Sequence, residues 1–201
     1  MLDSRIRPLI DPPLNRLGLW LGRQGIRANW VTLSGLIVGL GAAGAIYLHF
    51  WALALVLVLA SRLADGLDGA VARATQLNDF GGYFDIVADF VFYSAVPLAF
   101  VLGDPAANGA AGAFLLASFY VNGASFLGFA ILAEKARLGS DARGQKSIYF
   151  SGGLLEGTET IIFFVALCLF PAAFVPLALG FGALSVLTAG ARVVQAARLF
   201  R

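Results

Sequence analysis

Four aspartates stand at spacings that can bring carboxylates together. Asp65 and Asp68 are three residues apart, and Asp85 and Asp89 are four apart. On helices, each pair shares one face. A short polar segment separates the two stretches, so their helices are antiparallel neighbours whose facing surfaces can gather all four groups. The surroundings are mostly apolar. Each acid at the centre of a membrane helix costs about 2.5–3.5 kcal/mol, and mutual repulsion adds to that. A divalent cation relieves both costs. No cysteine lies near, and the single histidine, His49, is expected at the far end of its helix. Hard oxygen donors alone suit Mg²⁺ or Mn²⁺ rather than zinc.

The residues between the acids extend this chemistry. Gly66 and Gly69 each follow an aspartate, and Ala70 and Ala72 continue the run of small side chains. Such a run packs membrane helices closely. Interleaved with acids, it also leaves backbone open to a ligand laid along the helix. Arg73 closes the stretch, and a guanidinium there can grip a phosphate. Carboxylates, a divalent cation, open backbone and an arginine together describe a diphosphate site.

The elements that must position these residues are membrane helices. The chain has 201 residues, of which 59% are hydrophobic and 13% charged. Its mean hydropathy is +0.83. A soluble domain carries about twice that charged fraction. Apolar stretches near the length that crosses a bilayer recur. They predict six spans, near 30–50, 52–73, 82–102, 110–132, 148–169 and 174–197. The fold class expected is an all-α membrane protein. Residues 30–201 form its six-helix catalytic domain, and residues 1–29 an interfacial amphipathic segment. In that segment Ile6, Leu9, Ile10, Leu14, Leu17 and Leu21 recur at helical spacing between arginines, and Pro12 and Pro13 are expected to interrupt it. Such a helix lies in the plane of the headgroups. It has no continuous apolar run of the signal-peptide kind.

Charge sets the orientation. Twelve of the fourteen Lys and Arg residues fall on the N-terminal segment, the 134–147 loop, the end of the second span or the C-terminal end. Arg62 and Arg192 lie inside spans toward the same side, and the opposite loops carry no cation. Positive loops stay inside. Both termini and the acids are therefore expected on the cytoplasmic side of a bacterial-type inner (plasma) membrane. No nucleic-acid motif is visible, and the lone Cys168 excludes an intrachain disulfide.

The aspartate stretch resembles the signature of the CDP-alcohol phosphotransferases, also called phosphatidyltransferases. The family pattern is D-x2-D-G-x2-A-R, about eight residues, then G-x3-D-x3-D. Asp65, Asp68, Gly69, Ala72, Arg73, Gly81, Asp85 and Asp89 match it. Seven residues rather than eight separate Arg73 from Gly81, which leaves the glycine as either Gly81 or Gly82. Asn29-Trp30-Val31-Thr32 is similar to the family's P-N-x-x-T element, with Ala28 in place of proline. The motif similarity covers roughly residues 25–97.

The resemblance implies roles. Asp65, Asp68 and Asp85 are metal ligands, and Asp89 is the catalytic base and a further ligand. Asn29, Thr32, Gly66, Gly69, Ala72, Arg73 and Gly81 bind the nucleotide and diphosphate. The reaction implied is phospholipid synthesis. The phosphatidyl group of CDP-diacylglycerol, or a similar CDP-alcohol, passes to the hydroxyl of a small polar acceptor, and CMP leaves. A homodimer embedded among membrane lipids is also implied.

The acceptor is expected beside the acids, near Lys135, Lys146, Glu156 and Glu159. Glu156 and Glu159 share a helix face inside an apolar span. They either hold a polar acceptor, such as an ammonium group, or pair with Arg192 of the last span. The acceptor itself (serine, glycerol phosphate, inositol phosphate or choline) stays open. The alternative function is an intramembrane divalent metal-ion transporter, since acids at helical spacing also line ion paths. The glycines among the acids and the arginine after them argue against it.

Overall fold

The computed structural model describes residues 3–136 and 157–200. Its helices are α1 (Asp3–Arg23), α2 (Ala28–Tyr47), α3 (Trp51–Ala74), α4 (Asp79–Gly103), α5 (Pro105–Lys135), α6 (Gly157–Leu169) and α7 (Phe174–Leu199). A 3-10 turn, Pro171–Ala173, joins the last two. Among the described residues there is no strand.

Among the described residues, four stretches are long and apolar enough to cross a membrane: α2, α4, α5 and Pro171–Leu199, which contains α7. The other two expected spans are less plain. The 24-residue α3 has the length but carries Arg62, Asp65, Asp68 and Arg73 in its second half. Only 13 residues of α6 are described, and residues 148–156 of the expected fifth span lie outside the described part.

Local chemistry ends each helix where the site needs it. At the α2–α3 turn, Phe50 N donates to Ala45 O at 2.8 Å and His49 N to Ile46 O at 2.9 Å. This pairing closes a helix through one left-handed residue, here His49 at φ 61°. His49 therefore caps the end of the bundle away from Asp65 and Asp68. At the other end, Asn78 Oδ1 accepts from Gly81 N at 2.7 Å and starts α4. Asp104 Oδ1 accepts from Ala107 N at 3.0 Å, with Pro105 at the first position of α5. Both are favoured N-terminal arrangements.

The core is aromatic. Phe92, Phe164 and Phe174 are fully buried. Phe100 stacks on Phe174 at 4.7 Å, and Phe163 on Phe181 at 4.1 Å. Small residues let the helices around the site close. A Cβ on Gly35 would come within 3.0 Å of the Ala64 Cβ, and one on Gly39 within 2.6 Å of Phe92 Cδ2. Ser61 Oγ donates to Gly35 O at 2.8 Å in the same seam. The Gly35/Gly39 pair thus packs α2 onto α3 and α4 within the chain.

The N-terminal segment differs from expectation in one respect. Helix α1 runs unbroken through Pro12 and Pro13. A proline inside a helix costs about 3 kcal/mol or more, because it removes an N–H and crowds the preceding turn. Docking of α1 on α3 offsets that. Leu14 is buried, and a Cβ on Gly18 would meet the Ala70 backbone carbon at 2.7 Å. A Cβ on Gly22 would meet Thr75 Cγ2 at 2.7 Å. Ile10, Leu17, Leu19 and Trp20 remain exposed on the other sides.

The seam around Gly39 yields a prediction. Gly39→Val should lower the melting temperature in detergent, by the equivalent of about 1–3 kcal/mol expected of overpacking. Gly44→Ala, on the same helix with no atom within 4 Å of its new Cβ, should leave it unchanged or raised. Equal behaviour of the two variants would contradict the packing described.

Candidate active site

The sequence places the acids on two helices, and the structure ties one from each, Asp65 and Asp89, to a shared arginine, while Asp68 lines the same cleft as Asp65 and that arginine. Asp65 and Asp68 lie in the C-terminal half of α3, and Asp89 in the N-terminal half of α4. What joins Asp65 to Asp89 is Arg62. Its Nη1 donates to Asp89 Oδ1 at 2.6 Å and lies 3.4 Å from Asp65 Oδ1. Its Nη2 donates to Ser61 Oγ at 3.3 Å. The guanidinium rests over the Phe92 ring at 4.0 Å and near Tyr93 at 5.7 Å. Only 8% of the Arg62 side chain is exposed. Such a cation over aromatic faces gains more when desolvated.

The arrangement is incompletely satisfied. Asp68 is buried, and its Oδ2 has no hydrogen-bond partner among the described residues. Arg62 Nε is likewise buried without one. Both residues line a narrow cleft with Thr32, Gly35, Ser61 and Asp65. Asp85 stands half-buried one turn before Asp89 on α4. Among the described residues, no three acids stand close enough to hold one ion in common. The donor set nevertheless fits a hard divalent cation. All donors are carboxylate oxygens, and the unpaired Asp68 oxygen is a buried anion that a cation would satisfy.

The small residues of α3 divide between two faces. Gly66 lies under Leu14 of α1, with a Cβ there meeting Leu14 Cδ1 at 3.0 Å, and Ala70 lies under Gly18. Arg73 Nη2 donates to Asn15 Oδ1 of α1 at 3.0 Å, and its Nη1 hangs over Gly69. So Gly66, Ala70 and Arg73, at helical spacing, face α1. Asp65, Gly69 and Ala72, also at helical spacing, form a second face beside Asp68.

The two motifs meet at the start of α4. A Cβ on Gly81 would lie 3.2 Å from Asn29 Oδ1 and 3.3 Å from Asn78 Oδ1. Gly82 is exposed with nothing within 4 Å. The crowded position, where glycine fits most easily, is therefore Gly81. Thr32 is buried, lines the cleft, and donates its Oγ1 to Ala28 O at 3.2 Å.

The residues expected at the acceptor are less gathered. Lys135 is exposed at the end of α5. Glu159 is half-buried in the first turn of α6. That helix begins beside Tyr93, since a Cβ on Gly157 would lie 4.0 Å from Tyr93 Oη, and the Tyr93 ring is 5.7 Å from the Arg62 guanidinium. Lys146 and Glu156 lie outside the described residues. Among the described residues, the hydrogen bonds of Arg192 run to α5: Nη1 reaches Asn122 O at 3.1 Å, Asn122 Oδ1 at 3.0 Å and Ser125 Oγ at 2.5 Å.

Sequence reasoning missed Arg62 as a member of the site. The signal was present: an arginine inside an apolar helix, three residues before Asp65, needs a counter-ion.

Comparison with known proteins defines the class. Residues 26–194 match the family model for CDP-alcohol phosphatidyltransferase. The chain belongs to the CDP-alcohol phosphatidyltransferase family. It is 46% identical over 193 residues to the inner membrane protein YnjF of Escherichia coli strain K12, covering 96% of this chain and 94% of that one. It is 36% identical over 101 residues to the archaetidylinositol phosphate synthase of Pyrococcus horikoshii, covering 50% of this chain and 54% of that one. The crystal structure of a phosphatidylinositol phosphate synthase from Mycobacterium tuberculosis with CDP-DAG bound has the same fold. Its TM-score is 0.60 at 23% identity, over 92% of this chain and 90% of that one. With the family shown, the transporter reading falls away.

The unpaired Asp68 yields a second prediction. A cation at about 100 times its Kd should stabilise the protein by about 2.7 kcal/mol. Asp68→Asn should lose most of that gain while melting no lower than the wild type in chelator, because a buried unpaired charge has been removed. An unchanged Mg²⁺- or Mn²⁺-induced shift in melting temperature would contradict the fit.

Proposed function

We propose that this protein is a phospholipid-synthesising transferase that moves the phosphatidyl group of CDP-diacylglycerol, or a similar CDP-alcohol, to a small alcohol and releases CMP. The observation that carries the reading is a cleft lined by Asp65, Asp68 and Arg62, with Arg62 also holding Asp89 of α4, in a chain of this family. The solved relative with CDP-DAG bound supports the donor. The named synthases among the relatives make inositol-phosphate lipids. That places inositol phosphate first in an acceptor panel with glycerol phosphate, serine and choline.

In this mechanism Asp65, Asp68, Asp85 and Asp89 would hold Mg²⁺ or Mn²⁺. When bound, such a cation supplies positive charge against the diphosphate and the leaving phosphate. The chain's own residues do the rest. Asp89 is the base. Arg62 takes its Oδ1, and the carboxylate receives the acceptor's hydroxyl proton. The freed oxygen attacks the lipid-linked phosphorus, and the bond from that phosphorus to the bridging oxygen breaks. CMP departs with the bridging oxygen. Gly69 and Ala72 leave backbone open beside the acids, and Arg73, over Gly69, meets the phosphates. Asn29, Thr32 and Gly81 form the nucleotide end, with Gly66 seated beneath α1. Lys135, Lys146, Glu156 and Glu159 flank the acceptor.

The membrane arrangement follows the charge pattern. α3 and α6 complete six spans, and α1, with its exposed Ile10, Leu17 and Trp20, lies in the headgroup plane as the 1–29 segment. The acids and both termini face the cytoplasm. The family resemblance adds a homodimer.

Asp89 gives the test. Asp89→Asn should keep affinity for the CDP-lipid while CMP release falls by about 10²–10⁴-fold, the usual worth of a positioned base. A variant that keeps more than about a tenth of the wild-type rate would overturn the assignment.

A further inference from the structure

Arg62 is unusual in three respects at once. It is a buried cation, it is bonded to the acids that would hold another cation, and it is not fully satisfied itself. Nη1 is shared between Asp89 Oδ1 at 2.6 Å and Asp65 Oδ1 at 3.4 Å. Nε has no partner. Phe92 and Tyr93 hold the guanidinium from the core side, at 4.0 Å and 5.7 Å. Arginine keeps its proton in proteins. So Arg62 stays positive whatever else binds.

We infer that Arg62 is a built-in counter-ion that competes with the divalent cation for Asp65 and Asp89 and thereby sets the cation affinity of the site. This rests on the metal reading proposed above. Two of the four acids already have a cation supplied by the chain. A divalent ion can start from Asp68, whose Oδ2 is buried and unpaired. To gain Asp65 and Asp89 it must share or displace their bonds to the guanidinium, and it meets like charge there. The aromatic floor keeps Arg62 nearby, so the competition persists. The gain is an acid cluster that stays assembled when no divalent cation is bound.

The roles separate in a binding experiment. Purified protein, stripped with chelator, is titrated with Mn²⁺ by calorimetry and by the electron paramagnetic resonance of free Mn²⁺. Asp68→Asn serves as the control that places the ion in the cluster. Arg62→Met should lower the Kd for Mn²⁺ at least about tenfold. Its melting temperature should fall in chelator and recover with Mn²⁺. Arg62→Lys keeps the charge but loses the planar fork that bridges two acids. It should melt near the wild type in chelator and bind Mn²⁺ with intermediate affinity. If Arg62→Met does not fold, the lysine variant decides alone. A Kd that is unchanged or raised in the folded variants overturns the inference, as does wild-type Mn²⁺ binding that Asp68→Asn leaves intact. CMP release is assayed separately. Binding that behaves as described without CMP release would sink the proposed reaction and not the role of Arg62.

Discussion

Everything near the site depends on one interaction: a guanidinium that cannot lose its charge, lodged between Asp65 and Asp89 above an aromatic floor. Acids on neighbouring apolar helices repel each other and resist burial. Arg62 Nη1, 2.6 Å from Asp89 and 3.4 Å from Asp65, turns that repulsion into a tie between α3 and α4. Phe92 supports the tie from below and also fills the seam against Gly39 of α2. One buried phenylalanine therefore joins the core to the chemistry. The remaining unmet charge is concentrated on Asp68, which is where a further cation has most to gain.

The two faces of α3 divide the work of the motif. Asp65, Gly69 and Ala72 turn one way and Gly66, Ala70 and Arg73 the other, as 3.6 residues per turn require. The second face seats α1 through Leu14, Gly18 and the Asn15–Arg73 bond. A substrate phosphate that takes Arg73 must share it with Asn15. The N-terminal helix is thus connected to the site as well as to the lipid surface. Its continuity through Pro12 and Pro13 reflects that docking rather than its own helix propensity.

Much of this was legible in the sequence, because helical spacing converts residue numbers into faces. The acids, Asn29 and Thr32 could be placed on their helices from the motif and the apolar runs, whereas the choice between Gly81 and Gly82 needed the contacts at the start of α4. The unseen parts have physical reasons. Arg62 reads first as a cation that orients its span, and one of the acids that neutralise it, Asp89, stands on the next helix 27 residues away. For Arg192, pairing with a glutamate was one of two readings, and among the described residues a carbonyl, an amide oxygen and a hydroxyl of α5 serve it. Proline propensity argued for a break in α1, and only the tertiary contact with α3 overrules it. For α3, the charges that make the site also blur its reading as a span.

The central claim is that this acid cluster transfers a phosphatidyl group with the help of a divalent cation. The direct measurement uses purified protein in liposomes containing CDP-diacylglycerol, with inositol phosphate, glycerol phosphate, serine and choline supplied in turn. CMP and the new phospholipid are followed together, with and without chelator. The account predicts equal amounts of CMP and product for one acceptor, abolished by chelator and restored by Mg²⁺ or Mn²⁺. CMP release that is absent with every acceptor, or that continues undiminished in excess chelator, would contradict it.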